Sequence, residues 1–170
     1  DCDDLTSITI PEGITSIGES AFAGCKYLKS ITLPKSITSI GESAFSSCTN
    51  LWSITIPKGI TSIEKDTFSY CFSLTSITIP DSVTSIGDWA FFGCSSLKSV
   101  DISDLSAWCK INFAAPDSNP LRWSEALYLN GELVTDLCLP PGVTSSGGCP
   151  FYGWSSLANV TIPDSVTSIS

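Results

Sequence analysis

A chain of 170 residues and 18.0 kDa is long enough to bury one sizeable core, and 42% of it is hydrophobic against only 15% charged. The formal net charge of −9 and the pI near 4.2 argue against nucleic acid as a partner, since binding phosphates needs a cationic face, and against docking on an anionic membrane surface. No uncharged apolar run approaches the roughly 18 residues of a membrane span, so no membrane insertion is expected of this segment.

The first part of the chain repeats every 23 residues. Pro11, Pro34, Pro57 and Pro80 form one column, and Phe22, Phe45, Phe68 and Phe91 a second. Cys2, Cys25, Cys48, Cys71 and Cys94 form a third, and Leu5, Leu28, Leu51, Leu74 and Leu97 a fourth. A period this short belongs to a stacked coil, because no single unit can bury its own apolar face. In the copy from Leu74 to Ser96, the run up to Pro80 alternates into a half-buried strand with Leu74, Ile77 and Ile79 inward. Pro80 ends it, having no N–H for a ladder, and Asp81-Ser82 supplies turn chemistry. Val83 to Ile86 is a second short strand, and Gly87 is expected to permit the next turn. Trp89 to Cys94 then reads as a tight corner of one helical turn, with Ala90 and Phe91 inward and Cys94 closing the coil.

The residues Leu74-x-x-Ile77-x-Ile79-Pro80, Val83-Thr-Ser-Ile86-Gly87 and Ala90-Phe91-x-x-Cys94 return in four nearly perfect copies, and this pattern resembles the BspA-like class of leucine-rich repeats. The resemblance implies a repeat solenoid, a right-handed coil of mostly short β-strands with short helical or 3-10 corners. It implies that the first strands line the concave side, where partners usually sit. It also implies a secreted or cell-surface protein of the adhesin type, binding host matrix or cell-surface proteins, and it brings no catalytic residues.

After Leu97 the pattern drifts, and Ser103 stands where proline is expected. The next position equivalent to Leu97 reads as Val134, which is 37 residues on and so leaves 14 beyond one repeat. Asp104 to Phe113 reads as a short amphipathic helix with Asp or Ser near its start. Pro116 and Pro120 bracket a loop. Asn130-Gly131 between apolar flanks is the strongest short hairpin signal, and an insert of this kind, a Trp-Cys segment and a Leu-Asn-Gly hairpin, is familiar within the family. Repeat geometry resumes at Leu137-Cys-Leu-Pro140 in a poor copy. Ser146 stands in an isoleucine column, Pro150 in an alanine column and Trp154 in the cysteine column, so 141–154 should be the least stable stretch. The copy from Leu157 to Ile169 is regular again. Residues 1–170 are thus expected to form a single solenoid, with regular repeats over 1–97, an irregular insert over 98–133 and degenerate then regular repeats over 134–170. The chain has no Met and no polar cap at either end, which predicts a fragment of a longer array.

The five column cysteines are expected to face inward as small buried hydrophobes with a weak S–H donor to a neighbouring carbonyl. Disulfides between successive coils are the alternative, though they would leave an odd thiol and disturb a regular ladder. Cys109, Cys138 and Cys149 are the exposed candidates, and a Cys109–Cys138 bridge would tie the insert to the strand face. Zinc is disfavoured by the lack of His and of any C-x-x-C, and no metal or other cofactor is expected. An Asp1-Cys2-Asp3-Asp4 calcium site is weighed against a solvated cluster, which is favoured. With no histidine, Ser-His-Asp and Cys-His catalysis are excluded in their usual forms, and the acidic pairs lie on turns or the terminus rather than in a cleft. The chain is not expected to be an enzyme.

Its candidate protein-binding face is the outward side of the first strands. One column there is Thr6, Lys29, Trp52, Thr75 and Lys98, and another includes Thr32, Thr55 and Thr78. Trp52 beside Lys29 has the makeup of an interface anchor. Arg122 and Trp123 follow a proline-rich loop and are expected to project as a second patch, whereas Trp108 is expected in the core of the short helix. Two other readings stay open: a structural spacer that binds nothing, and an ice-binding surface on the threonine ladder, against which Asp101, Cys138, Lys and Trp interruptions weigh. Asn159-Val-Thr161 is a glycosylation sequon, a weak signal.

Overall fold

The computed structural model describes residues 2, 4–124, 126–140 and 150–167. Each regular copy contributes two short strands: β1 (Ser7–Thr9) and β2 (Ser16–Ile17), β3 (Ser30–Thr32) and β4 (Ser39–Ile40), β5 (Ser53–Ile54) and β6 (Ser62–Ile63), β7 (Ser76–Ile79) and β8 (Ser85–Ile86). Alternation sets what each strand buries. In β7, Ser76 and Thr78 face out while Ile77 and Ile79 are buried. Successive first strands pair in parallel one repeat apart, Ser7 on Ser30 and Ser30 on Ser53. Second strands do the same, Ser16 on Ser39 and Ser62 on Ser85. The chain is a leucine-rich-repeat solenoid whose columns meet along the stack. Leu28, Leu51, Leu74 and Leu97 are buried, and Phe22, Phe45, Phe68 and Phe91 stack ring on ring at 5.3, 5.7 and 5.5 Å.

The corner differs from the single helical turn expected. It is a series of β-turns, in which the N–H of Ala90 reaches the Gly87 carbonyl, Phe92 that of Trp89 and Cys94 that of Phe91. Left-handed residues at Trp89 (φ 55°) and Gly93 (φ 77°) interrupt any helix there. The same two positions are left-handed in earlier copies, at Ser20, Ser43 and Asp66 and at Gly24, Ser47 and Tyr70. Gly87 is needed for a different reason from the one its sequence position suggests. A Cβ there would lie 2.6 Å from the backbone nitrogen of Lys65, so glycine allows two coils to approach rather than the chain to turn. Gly41 and Gly87 donate to the carbonyls of Ile17 and Ile63 at 2.9 and 2.8 Å. Glu64, in the same column, makes no such bond among the described residues, and β4 and β6 belong to separate sheets.

Beyond the fourth copy the coil lengthens. β9 (Ser99–Ile102) pairs with β7, and Asp104 caps α1 (Leu105–Cys109) by accepting the N–H groups of Ser106 and Ala107 at 2.7 and 3.0 Å. The helix is shorter than the 104–113 stretch expected, because β10 (Asn112–Phe113) pairs with β8. Ser85 to Asn112 is 27 residues, four more than the repeat, and α1 accommodates them where the regular copies have a proline turn. Two 3-10 turns, Pro116–Ser118 and Pro120–Arg122, form the next corner. β11 (Ala126–Leu129) then adds to β9 in parallel, Leu127 opposite Val100 and again 27 residues on. The next rung is therefore β11, not the segment after Val134 to which the spacing from Leu97 points. The remaining ten extra residues lie between Ala126 and Asp136. Asn130 (φ 52°) and Gly131 (φ 85°) make the expected hairpin, leading into β12 (Glu132–Leu133), antiparallel to β11. β13 (Asp136–Cys138) and β14 (Asn159–Thr161) pair in parallel one regular repeat apart. In the degenerate copy Trp154 is buried, and the Pro150 carbonyl accepts the Trp108 indole N–H at 3.2 Å. The expectations for Asp1, Asp3, Ser146, Cys149 and Ile169, and for the stability of 141–149, lie outside the described residues.

Candidate functional site

The first strands hold one set of side chains inward and leave the alternate set to solvent. Lys29, Trp52, Thr75 and Lys98 are all exposed at the strand starts, as are Thr32, Thr55 and Thr78 further along. Trp52 is 53% exposed and is the one aromatic standing free on that face among the described residues. Tyr128, half-buried, lies opposite Asp101 at the far end. The base of Trp52 is held firmly, since its carbonyl accepts both the N–H and the hydroxyl of Thr75 at 3.3 and 3.2 Å. No cation covers its ring. The two cation–π contacts among the described residues are Lys65 over Trp89 and Arg122 over Trp123, so Lys29 neighbours Trp52 in the column without capping it. Hydroxyls beside the second strands are engaged by backbone, Thr38 on Thr15 and Thr84 on Thr61 at 3.2 and 3.1 Å. Thr32, Thr55 and Thr78 make no side-chain hydrogen bond among the described residues and remain available to a partner.

Arg122 and Trp123 do not project together as expected. Trp123 is half-buried against the core, its ring edge-to-face with Phe92 at 5.6 Å, and its indole N–H has no partner among the described residues. Arg122 is exposed, lies 5.5 Å over the Trp123 ring and reaches Asp117 at 3.5 Å. The contact with Phe92 extends further. Phe92 meets Tyr70 at 5.4 Å and Tyr70 meets Phe72 at 5.9 Å, each pair edge-to-face. This row of rings on the corner side went unmarked in the sequence. Its signal was there: other copies carry Gly24 and Ser47 where Tyr70 stands, Lys26 and Thr49 for Phe72, and Ala23 and Ser46 for Phe92.

The cysteine ladder is as the inward reading expects from Cys25 to Cys94, all four buried and unbridged. The thiols of Cys48, Cys71 and Cys94 donate to the carbonyls of Phe22, Phe45 and Phe68 at 3.1, 3.2 and 3.2 Å. Burial pushes the Cys48 and Cys94 thiols up to about 12 and Cys71 well above the ordinary range. Two expectations change. Cys2 is exposed rather than inward, and Cys109 is buried rather than exposed, its thiol pushed up to about 11 by burial. Cys109 and Cys138 are both free, so no bridge ties the insert to the strand face. Among the described residues no group of three or more Cys, Asp or Glu is placed to hold a metal, and no helix is long and apolar enough to cross a membrane. The sequon Asn159-Val-Thr161 lies on β14, where the Asn159 amide donates to Asp136 at 2.6 Å.

No curated protein matches this chain. Among solved structures, it resembles a leucine-rich cell surface protein from Faecalibacterium prausnitzii at 28% identity and a TM-score of 0.56, over 93% of this chain and 32% of that one. The T. pallidum leucine-rich repeat protein is similar at 26% identity and a TM-score of 0.65, over 96% of this chain and 72% of that one. A leucine-rich repeat protein from Eubacterium ventriosum, 22% identical with a TM-score of 0.50 over 99% of this chain and 57% of that one, shares the fold. The chain spans about a third of the Faecalibacterium protein it matches. The BspA type leucine rich repeat region matches in six copies over residues 1–118 and 123–170. With its coils, columns and strand ladders in the same arrangement, the chain belongs to the BspA-type leucine-rich repeat family.

Proposed function

We propose that the chain is a non-catalytic protein-binding module of a secreted or cell-surface adhesin, working through the outward side of its first strands. The observation that carries this reading is Trp52. A large apolar ring stands more than half exposed, rigidly based, in a field of small hydroxyls with Lys29 and Lys98 in its column. Exposing an indole costs solubility and does nothing for the core, whereas a tryptophan amid polar neighbours is the usual composition of an interface anchor. Thr32, Thr55 and Thr78 supply adaptable hydroxyls around it, while the Thr75 hydroxyl, bonded to the Trp52 carbonyl, steadies its base. Arg122 extends the charged rim at the insert, while Trp123 holds its corner together. Host matrix or cell-surface proteins are the partner class the family suggests.

The test is adhesion of beads coated with the chain to a panel of immobilised matrix proteins, comparing wild type with Trp52→Thr, the residue of the first and fourth copies at Thr6 and Thr75. Loss of adhesion with unchanged thermal unfolding supports the reading. Adhesion retained by the variant removes Trp52 as the anchor, and no adhesion by wild type leaves the chain a spacer between other segments.

A further inference from the structure

We infer that the row of rings formed by Phe72, Tyr70, Phe92 and Trp123 is a second interaction surface, separate from the strand face, that takes an extended, arginine- or lysine-bearing segment of a protein partner. Neighbouring rings meet at 5.9, 5.4 and 5.6 Å, so the row is continuous across successive corners. Tyr70 and Phe72 are 43% and 45% exposed, and no repeat-wide column produces them. Tyr70 is also held at φ 58°, in a position that is glycine in the first and fourth copies. A left-handed conformation disfavours a bulky L-residue, and a strained residue that gains only partial burial points to a use outside the fold. Gly93 accommodates the ring, since a Cβ there would lie 3.0 Å from Tyr70 Cδ1.

The choice of a cationic partner follows from what already sits on neighbouring rings. Arg122 lies over Trp123 at 5.5 Å, at one end of the row, and Lys65 lies over Trp89 at 5.7 Å on the corner that closes the fourth copy. The chain's own cations thus occupy two ring faces, while Tyr70, Phe72 and Phe92 have none over them among the described residues. Charge runs the same way. The corners carry Glu19, Glu42, Asp66, Asp88 and Asp117 against Lys26, Lys65 and Arg122, with Lys65 paired to Glu42 and Asp66 and Arg122 to Asp117, within a chain of net charge −9. Electron-rich ring faces in a negative field attract a guanidinium or ammonium group and repel an acidic partner.

The experiment is fluorescence anisotropy with a labelled peptide of alternating arginine and glycine, and with its counterpart in which citrulline replaces arginine, at about 0.15 M salt. The variant combines Tyr70→Gly, Phe72→Thr and Phe92→Ser, each a residue that another copy carries at that place. Wild type should bind the arginine peptide roughly tenfold or more tighter than the citrulline peptide, and the triple variant should lose roughly tenfold or more, about 1.4 kcal/mol per factor of ten. Tyr27→Asn, which removes an exposed aromatic outside the row, should bind as wild type does. Thermal unfolding within a few degrees of wild type checks the fold. If the triple variant unfolds, Phe72→Thr alone, at an exposed corner, serves in its place. No binding by wild type, equal binding of citrulline, retained binding in the variant, or equal loss in Tyr27→Asn overturns the inference. None of these outcomes touches Trp52, so the strand-face reading stands or falls separately.

Discussion

A Cβ added at Gly87 would sit 2.6 Å from the amide nitrogen of Lys65 and 3.0 Å from the carbonyl carbon of Glu64, whereas one added at Gly18 would meet nothing within 4 Å. Both glycines occupy one column, and the difference is a coil beneath. Gly87→Ala must separate two backbones and weaken the bond from Gly87 to Ile63, so it should cost about 1–3 kcal/mol. Gly18→Ala should be neutral or stabilising by about 0.4–1 kcal/mol, through the reduced freedom of the unfolded chain. Urea unfolding midpoints of the two variants measure this, and equal losses would return the glycines to a turn-forming role. Glu64 is nature's version of the experiment, since it keeps its side chain and lacks the bond. Single residues also divide the cysteines. Cys2 and Cys138 should react with an alkylating reagent in the native state, while Cys25, Cys48, Cys71, Cys94 and Cys109 should wait for denaturation. Peptide mapping by mass spectrometry after a native pulse reads out which is which, and early labelling of Cys71 would contradict its burial.

At the level of elements, the phenylalanine stack is the clearest case of a column converted into energy. Phe68 is fully buried between two rings, whereas Phe22 is half-buried with one ring neighbour. Phe68→Ala should cost about 3–5 kcal/mol. Phe22→Ala should cost less, by the one aromatic contact it lacks, about 0.5–1.5 kcal/mol, and by its smaller burial. Thermal unfolding resolves such a gap, since each kcal/mol shifts the midpoint by about 2–4 °C in a chain of this size. The stack was legible in the sequence because identical residues at a fixed period must touch once the coils stack. So were the hairpin at Asn130-Gly131, whose residues tolerate the left-handed turn, and a helix start at Asp or Ser near 104, which the structure resolves to a cap at Asp104. The lengthened coil was less so. Its extra residues fall in two places, α1 and the hairpin, and spacing alone reports only their total, which is why Val134 looked like the next rung. The row of rings escaped for the opposite reason: Tyr70, Phe72 and Phe92 break the repeat, and attention to columns passes over what departs from them. Trp123 likewise sits where a loop pattern suggests projection, but Phe92 gives its ring a surface to pack on.

Over the whole molecule, stacking turns the buried thiols into a collective property. The folded state resists ionising them: burial holds Cys48 and Cys94 at about 12 and Cys109 at about 11, with Cys25 and Cys71 also raised, against 9.0 for a free thiol. The unfolded chain therefore gains thiolates first as pH rises, and protons bound in excess by the folded state mean stability that declines with pH. Below about 9 the contribution is fully present. Between 9 and the folded values each of Cys48, Cys94 and Cys109 removes at most about 1.4 kcal/mol per pH unit, a change that matters against a total stability of about 5–15 kcal/mol. The midpoint of thermal unfolding, followed by circular dichroism under anaerobic conditions, should hold steady to near pH 9 and then fall steeply. Replacing Cys94 with alanine removes one titrating group, so the variant, less stable at neutral pH, should show a shallower decline. An alkaline limb of equal slope in both would mean that other groups, not the thiol ladder, govern the loss. The argument depends on the repeat itself. One buried thiol would bend the pH profile slightly, but a column of them at one position in successive coils makes alkaline unfolding a direct readout of how completely the solenoid closes over its own core.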